Sequence, residues 1–101
     1  MPEAQRLALD TDLTIYNAEA NKHRLVDAVR SAEILDLDLS QVGEMDTAGF
    51  QLLILAKREA QRLGHTLNIV AHSPAALEVI EFYNMTAFFG DPVVIPAGGH
   101  A

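Results

Sequence analysis

The sequence has no cysteine, which excludes disulfide bridges, thiolate zinc centres and a cysteine nucleophile. Basic residues are scarce: 7 Lys+Arg stand against 14 Asp+Glu, a formal charge of −7. That balance opposes non-specific nucleic-acid binding, which needs a cationic surface to displace counterions, and equally opposes docking on an anionic membrane. Long apolar runs are missing as well. The longest, Leu52 to Ala56, is far short of the roughly 20 residues of a membrane span, so no direct membrane insertion is expected. The opening MPEAQRLALD has neither the basic nor the apolar region of a secretory signal. A cytoplasmic protein is expected.

What is present suits one compact domain. The 101 residues are 50% hydrophobic, enough for a core without staples. A single domain over 1–101 is expected, with its core at about 7–95 and a flexible tail at 96–101, where PAGGHA offers no apolar anchor. Leu7, Leu9, Leu13 and Ile15 around Asp10-Thr11-Asp12 read as two short strands and a turn. No Pro or Gly interrupts the chain from Asn17 to Gly43. Within that stretch Ala18, Leu25, Val29 and Ala32 form a helical stripe, which predicts a helix over Ala18–Ser31 capped by Asn17. Glu33 to Leu39 alternates leucine with Asp36 and Asp38, a strand with one apolar and one acidic face. Met45 to Gly64 predicts the most buried helix, apolar almost all round at FQLLILA and closed by Gly64. Leu67 to Ala71 is a further strand. Ser73-Pro74 starts a helix in the favoured cap order and runs it to near Asn84, and Val93 to Ile95 is a last strand. The order β-β-α-β-α-β-α-β implies a mostly parallel sheet with crossover helices.

No catalytic set assembles from the sequence. His23, His65, His72 and His100 show no metal-protease spacing, so no metal and no other cofactor is expected. Gly43, Gly49 and Gly64 match neither phosphate-binding glycine pattern. Asp36 and Asp38 lie two apart on one strand face, a carboxylate pair without an accompanying base. The segment from Asp38 to Phe50 is different. It joins a central strand to the most buried helix, and Asp46 and Thr47 can cap that helix. Gly49 in the first turn costs about 1 kcal/mol against Ala, which implies close approach there by another backbone or by a partner.

DLSQVGEMDTAGFQLLILAKREA closely resembles the signature of the STAS domain, found in anti-sigma factor antagonists and in sulphate-transporter tails. In that family a strand ending in DLS leads through a loop to D-[ST]-x-G and a long apolar helix. Gly64, the LNIVA strand, Pro74 and the stretch from Leu77 to Met85 also resemble the pattern, so the likeness covers about Leu7 to Ile95. It implies an α/β, STAS-like fold: a four- to five-stranded mixed sheet with helices packed mainly on one side and an antiparallel pair from the first two strands. It implies a non-enzymatic partner-binding site at Asp46, Thr47, Ala48 and Gly49, with Ser40 at the strand end. In sporulation-type antagonists the motif is D-S-S-G, and its second Ser is phosphorylated by the cognate anti-sigma kinase. Here that position is Ala48, which has no hydroxyl, and Thr47 carries the surviving one. Thr47 is therefore the possible phosphorylation site.

The leading expectation is a regulatory module that switches partners with an anti-sigma factor or serine kinase. The D-T-A-G form is also similar to the STAS subunit of a phospholipid ABC transporter, whose Thr matters for contact with the ATPase, and to lone STAS proteins encoded beside chemotaxis genes. Docking on an ABC transporter ATPase or a chemosensory protein is the alternative. A third reading gathers Asp36, Asp38 and Asp46 around a metal or nucleotide.

Overall fold

The computed structural model describes residues 3–83. Three strands and three helices alternate: β1 (Gln5–Ala8), α1 (Ala18–Ser31), β2 (Ile34–Leu39), α2 (Thr47–Leu63), β3 (Thr66–His72) and α3 (Pro74–Phe82). The strands form a parallel sheet in the order β1-β2-β3. Parallel neighbours cannot be joined by a tight turn, and α1 and α2 supply the crossovers.

The alternation in β2 divides the sheet into two faces. Leu35, Leu37 and Leu39 are buried, with Leu67 and Ile69 of β3 beside them. Leu25 and Val29 of α1, and Phe50, Leu53 and Ala56 of α2, close over this leucine face. Asp36 and Asp38 point the other way, where Arg6 reaches Asp38 at 2.6 Å and the Asn68 amide donates to Asp36. Val70 is the extra residue of a bulge, since Leu37 pairs with Ile69 but Asp38 with Ala71.

α2 follows the expected pattern closely. Asp46 caps it, Gly64 closes it in the left-handed conformation (φ 72°), and its first half carries the buried Phe50, Leu52 and Leu53. It begins at Thr47 rather than Met45, because the Asp46 backbone is extended and turns the chain into the helix. Leu55 departs from the all-round burial expected, being exposed. Ser73 accepts from the Ala76 N–H and starts α3 as its spacing predicts.

Other expectations are corrected. The first two strands are not an antiparallel pair: β1 alone is a strand and runs parallel to β2. Leu9 and Leu13 are buried loop anchors, and Leu13 makes only an isolated parallel bridge to Met45. The reason lies in Asp12, which does not close a turn. Its carboxylate accepts the Glu44 N–H and its carbonyl accepts the Asn17 and Asn21 amides. Asn17 stands at the N-cap of α1 as expected, but its side chain makes no cap hydrogen bond. The described sheet has three strands rather than four or five. Val93–Ile95, Asn84 and the tail at 96–101 lie outside the described residues.

Candidate functional site

The first turn of α2 is fixed by Asp46. Its Oδ1 accepts the Gly49 N–H at 3.1 Å, and its Oδ2 accepts the Ile15 N–H at 3.0 Å. One carboxylate thus satisfies a free helical donor and ties the loop before α1 to the helix start. The Ile15 N–H, followed by those of Gly49 and Ala48, holds the Asp46 carboxyl below its usual range despite a counteracting desolvation. The Asp46 N–H donates to the Leu13 carbonyl at 3.1 Å, which closes the clamp.

Gly49 follows from the same clamp. A Cβ there would lie 2.1 Å from the Leu13 carbonyl oxygen and 2.8 Å from its carbon. The close approach read from the sequence is therefore made by another stretch of the same backbone. Ala48 is half-buried beside it, while Thr47 is exposed. Thr47 Oγ1 and the Tyr83 hydroxyl share a hydrogen bond of 2.9 Å, and the Tyr83 ring stacks on Phe50 with centroids 4.6 Å apart.

Asp46, Thr47, Ala48 and Gly49 form one helix start, and Ser40 is engaged at the end of β2. Its N–H donates to Asp38 at the end of β2. Ser40, through side chain and backbone, and then Arg6 hold the Asp38 carboxyl at about 2. Asp36, Asp38 and Asp46 have separate partners, Asn68, Arg6 and the Ile15 N–H. Among the described residues no group of three His, Asp or Glu could hold a metal ion. His23 is exposed, the His65 Nδ1–H donates to the Val29 carbonyl, and burial lowers the pKa of His72.

Two open grooves flank Asp46. One, of about 420 Å³, runs between the loop residues Thr14, Tyr16, Glu44 and Met45 and the α3 residues Ala75, Glu78 and Val79. The other, of about 290 Å³, lies between Thr47 and the α3 residues Glu78, Phe82 and Tyr83. Around them stand exposed apolar side chains: Tyr16 is 93% exposed, Phe82 79% and Ile15 67%. Four of the six large hydrophobic side chains exposed among the described residues, Ile15, Tyr16, Phe82 and Tyr83, stand on this side.

The sequence reading missed Asp12, Ile15, Tyr16, Glu78 and Tyr83. Tyr83 was within reach, since the apolar stripe of α3 ends on it. Ile15 and Tyr16 carried no such signal, because apolar residues flanking a turn read as strand.

The family model described as Mlab, STAS domain, matches residues 1–95. Two solved structures have the same fold. A candidate anti-sigma factor antagonist from Thermotoga maritima superposes with a TM-score of 0.77 at 18% identity, covering 91% of this chain and 80% of that one. The anti-sigma factor antagonist SpoIIAA in its unphosphorylated form superposes with a TM-score of 0.69 at 17% identity, covering 92% and 83%. No curated protein sequence matches the chain. Among the described residues no helix is long and apolar enough to cross a membrane.

Proposed function

The chain belongs to the STAS-domain family, and we propose that it is a non-enzymatic cytoplasmic regulatory module that binds protein partners at the start of α2. The observation that carries this reading is the exposed Thr47 hydroxyl, set on a helix start that Asp46 and Gly49 make rigid and ringed by exposed Ile15, Tyr16 and Phe82. A surface held this firmly meets a partner with little ordering cost. The separate partners of Asp36, Asp38 and Asp46 speak against the metal or nucleotide reading.

In this proposal partner exchange, of the kind used by anti-sigma factor antagonists, is governed at Thr47. Phosphorylation there adds about two negative charges at a helix N-terminus, where the dipole favours them. It also takes the hydroxyl from Tyr83 and places the charge in the groove that Glu78 lines. The helix survives the modification, while a partner facing the groove meets new bulk.

Ala48 favours a second reading. With no hydroxyl at the position phosphorylated in D-S-S-G antagonists, the site also suits constitutive docking on a transporter ATPase or a chemosensory protein. Affinity co-purification from the native cytosol, wild type against Thr47→Glu, separates the two. Recovery of an anti-sigma-type serine/threonine kinase that is lost with Thr47→Glu supports switching. Recovery of a transporter ATPase or chemosensory component by the wild type, weakened by Thr47→Glu, supports docking at the α2 start. A set of partners unchanged by Thr47→Glu contradicts a role for the α2 start.

A further inference from the structure

We infer that the grooves beside Asp46 receive a cationic protein segment, one that carries Lys or Arg next to an aromatic or aliphatic anchor. This rests on the docking reading above and specifies the partner's chemistry. The charged side chains lining the two grooves are Glu44, Asp46 and Glu78, with no Lys or Arg. Asp46 is spent on backbone N–H groups, but Glu44 and Glu78 have no ion-pair partner among the described residues. All seven cations of the chain lie on β1, α1 or the second half of α2.

The same charges discriminate among occupants. Residues 84–101 contain no Lys or Arg and one Asp, so the chain's own C-terminal stretch cannot neutralise the groove. A second copy brings another −7 and the same acids. Nucleic acid and anionic lipid are repelled. A foreign segment with an apolar anchor satisfies both features: the anchor covers Tyr16 and Val79, and its cation meets Glu78 or Glu44. Complementary charge of this kind raises the association rate and selects the partner, while the apolar anchor supplies most of the affinity.

The probe is a phage-displayed library of random peptides selected on the full chain, with labelled representatives then titrated against variants. Enriched sequences should pair Lys or Arg with an aromatic or aliphatic residue and should bind more weakly as salt is raised. Glu78→Gln and Glu44→Gln should each weaken binding about threefold and Tyr16→Ala about tenfold. Arg58→Gln, away from the grooves, should leave it unchanged. Tyr16, Glu44 and Glu78 are all exposed, so these variants fold. Neutral apolar peptides that are lost with Thr47→Glu would overturn the cationic partner and leave docking at the α2 start standing. Peptides indifferent to both Thr47→Glu and Tyr16→Ala, or no enrichment at all, would overturn the two together.

Discussion

The two ends of α2 each hold a glycine and an acid, yet they are built differently. At the far end Glu59 is shared by Arg30 and Arg62 at 2.9 and 2.7 Å, and charge is neutralised within the fold. Gly64 there serves only its left-handed backbone, with open space where a side chain would go. At the near end Asp46 is held by backbone N–H groups, Gly49 is pressed against Leu13, and Glu44 and Glu78 have no ion-pair partner among the described residues. The end whose acids meet no cation among the described residues, and whose apolar side chains are exposed, is the end where the proposal places another molecule.

Substitutions at matched positions can break the comparison. Gly49→Ala forces a Cβ into the Leu13 backbone, which cannot retreat without opening the clamp, and should cost about 3 kcal/mol in urea unfolding. Asp46→Ala removes a cap and the hold on Ile15 together and should cost about 2 kcal/mol in the same assay. Gly64→Ala meets nothing and carries only left-handed strain, about 1 kcal/mol. Equal losses at the two glycines would erase the distinction between the helix ends. The smallest effect belongs to Glu59→Gln, because its arginine partners are exposed and salt screens the pairs.

The two acids also separate by pH. Arg62 and then Arg30 hold the Glu59 carboxyl at about 2, below its usual 4.5. A depressed carboxyl contributes stability above its ordinary pKa and loses it as pH falls through the lowered one. Thermal melts should therefore fall from about pH 4.5 towards pH 2, and Glu59→Gln should flatten part of that slope at low salt alone. Asp46, also lowered, contributes with the same sign, but through short hydrogen bonds to backbone N–H groups that added salt leaves in place. Asp46→Asn should therefore flatten the acid slope at every salt concentration.

Much of this contrast was legible in residue order. The leucine–aspartate alternation of β2, the Gly64 stop, the Ser73 cap and the Asp46–Gly49 turn are local signals, each fixed by residues within a few positions. The errors arose where a residue far along the chain decided the outcome. Leu9, Leu13 and Ile15 look like strand, but Asp12 and Asp46 lie 32 residues from Glu44 and 31 from Ile15 in their hydrogen bonds, and those bonds turn the segment into a loop. Asn17 takes the N-cap position, but its side chain is oriented by the Asp12 carbonyl and makes no cap hydrogen bond. The pairing of Thr47 with Tyr83 spans 36 residues, and no periodicity reports it.

The most direct test of the central claim is a backbone-amide chemical-shift map of the labelled chain with the partner recovered by co-purification. The account predicts perturbations at Ile15, Tyr16, Asp46 to Gly49 and Glu78 to Tyr83, with Glu59 to Gly64 unmoved. Perturbations centred on Glu59 to Gly64, or on the Asp36 and Asp38 face of the sheet, would contradict it.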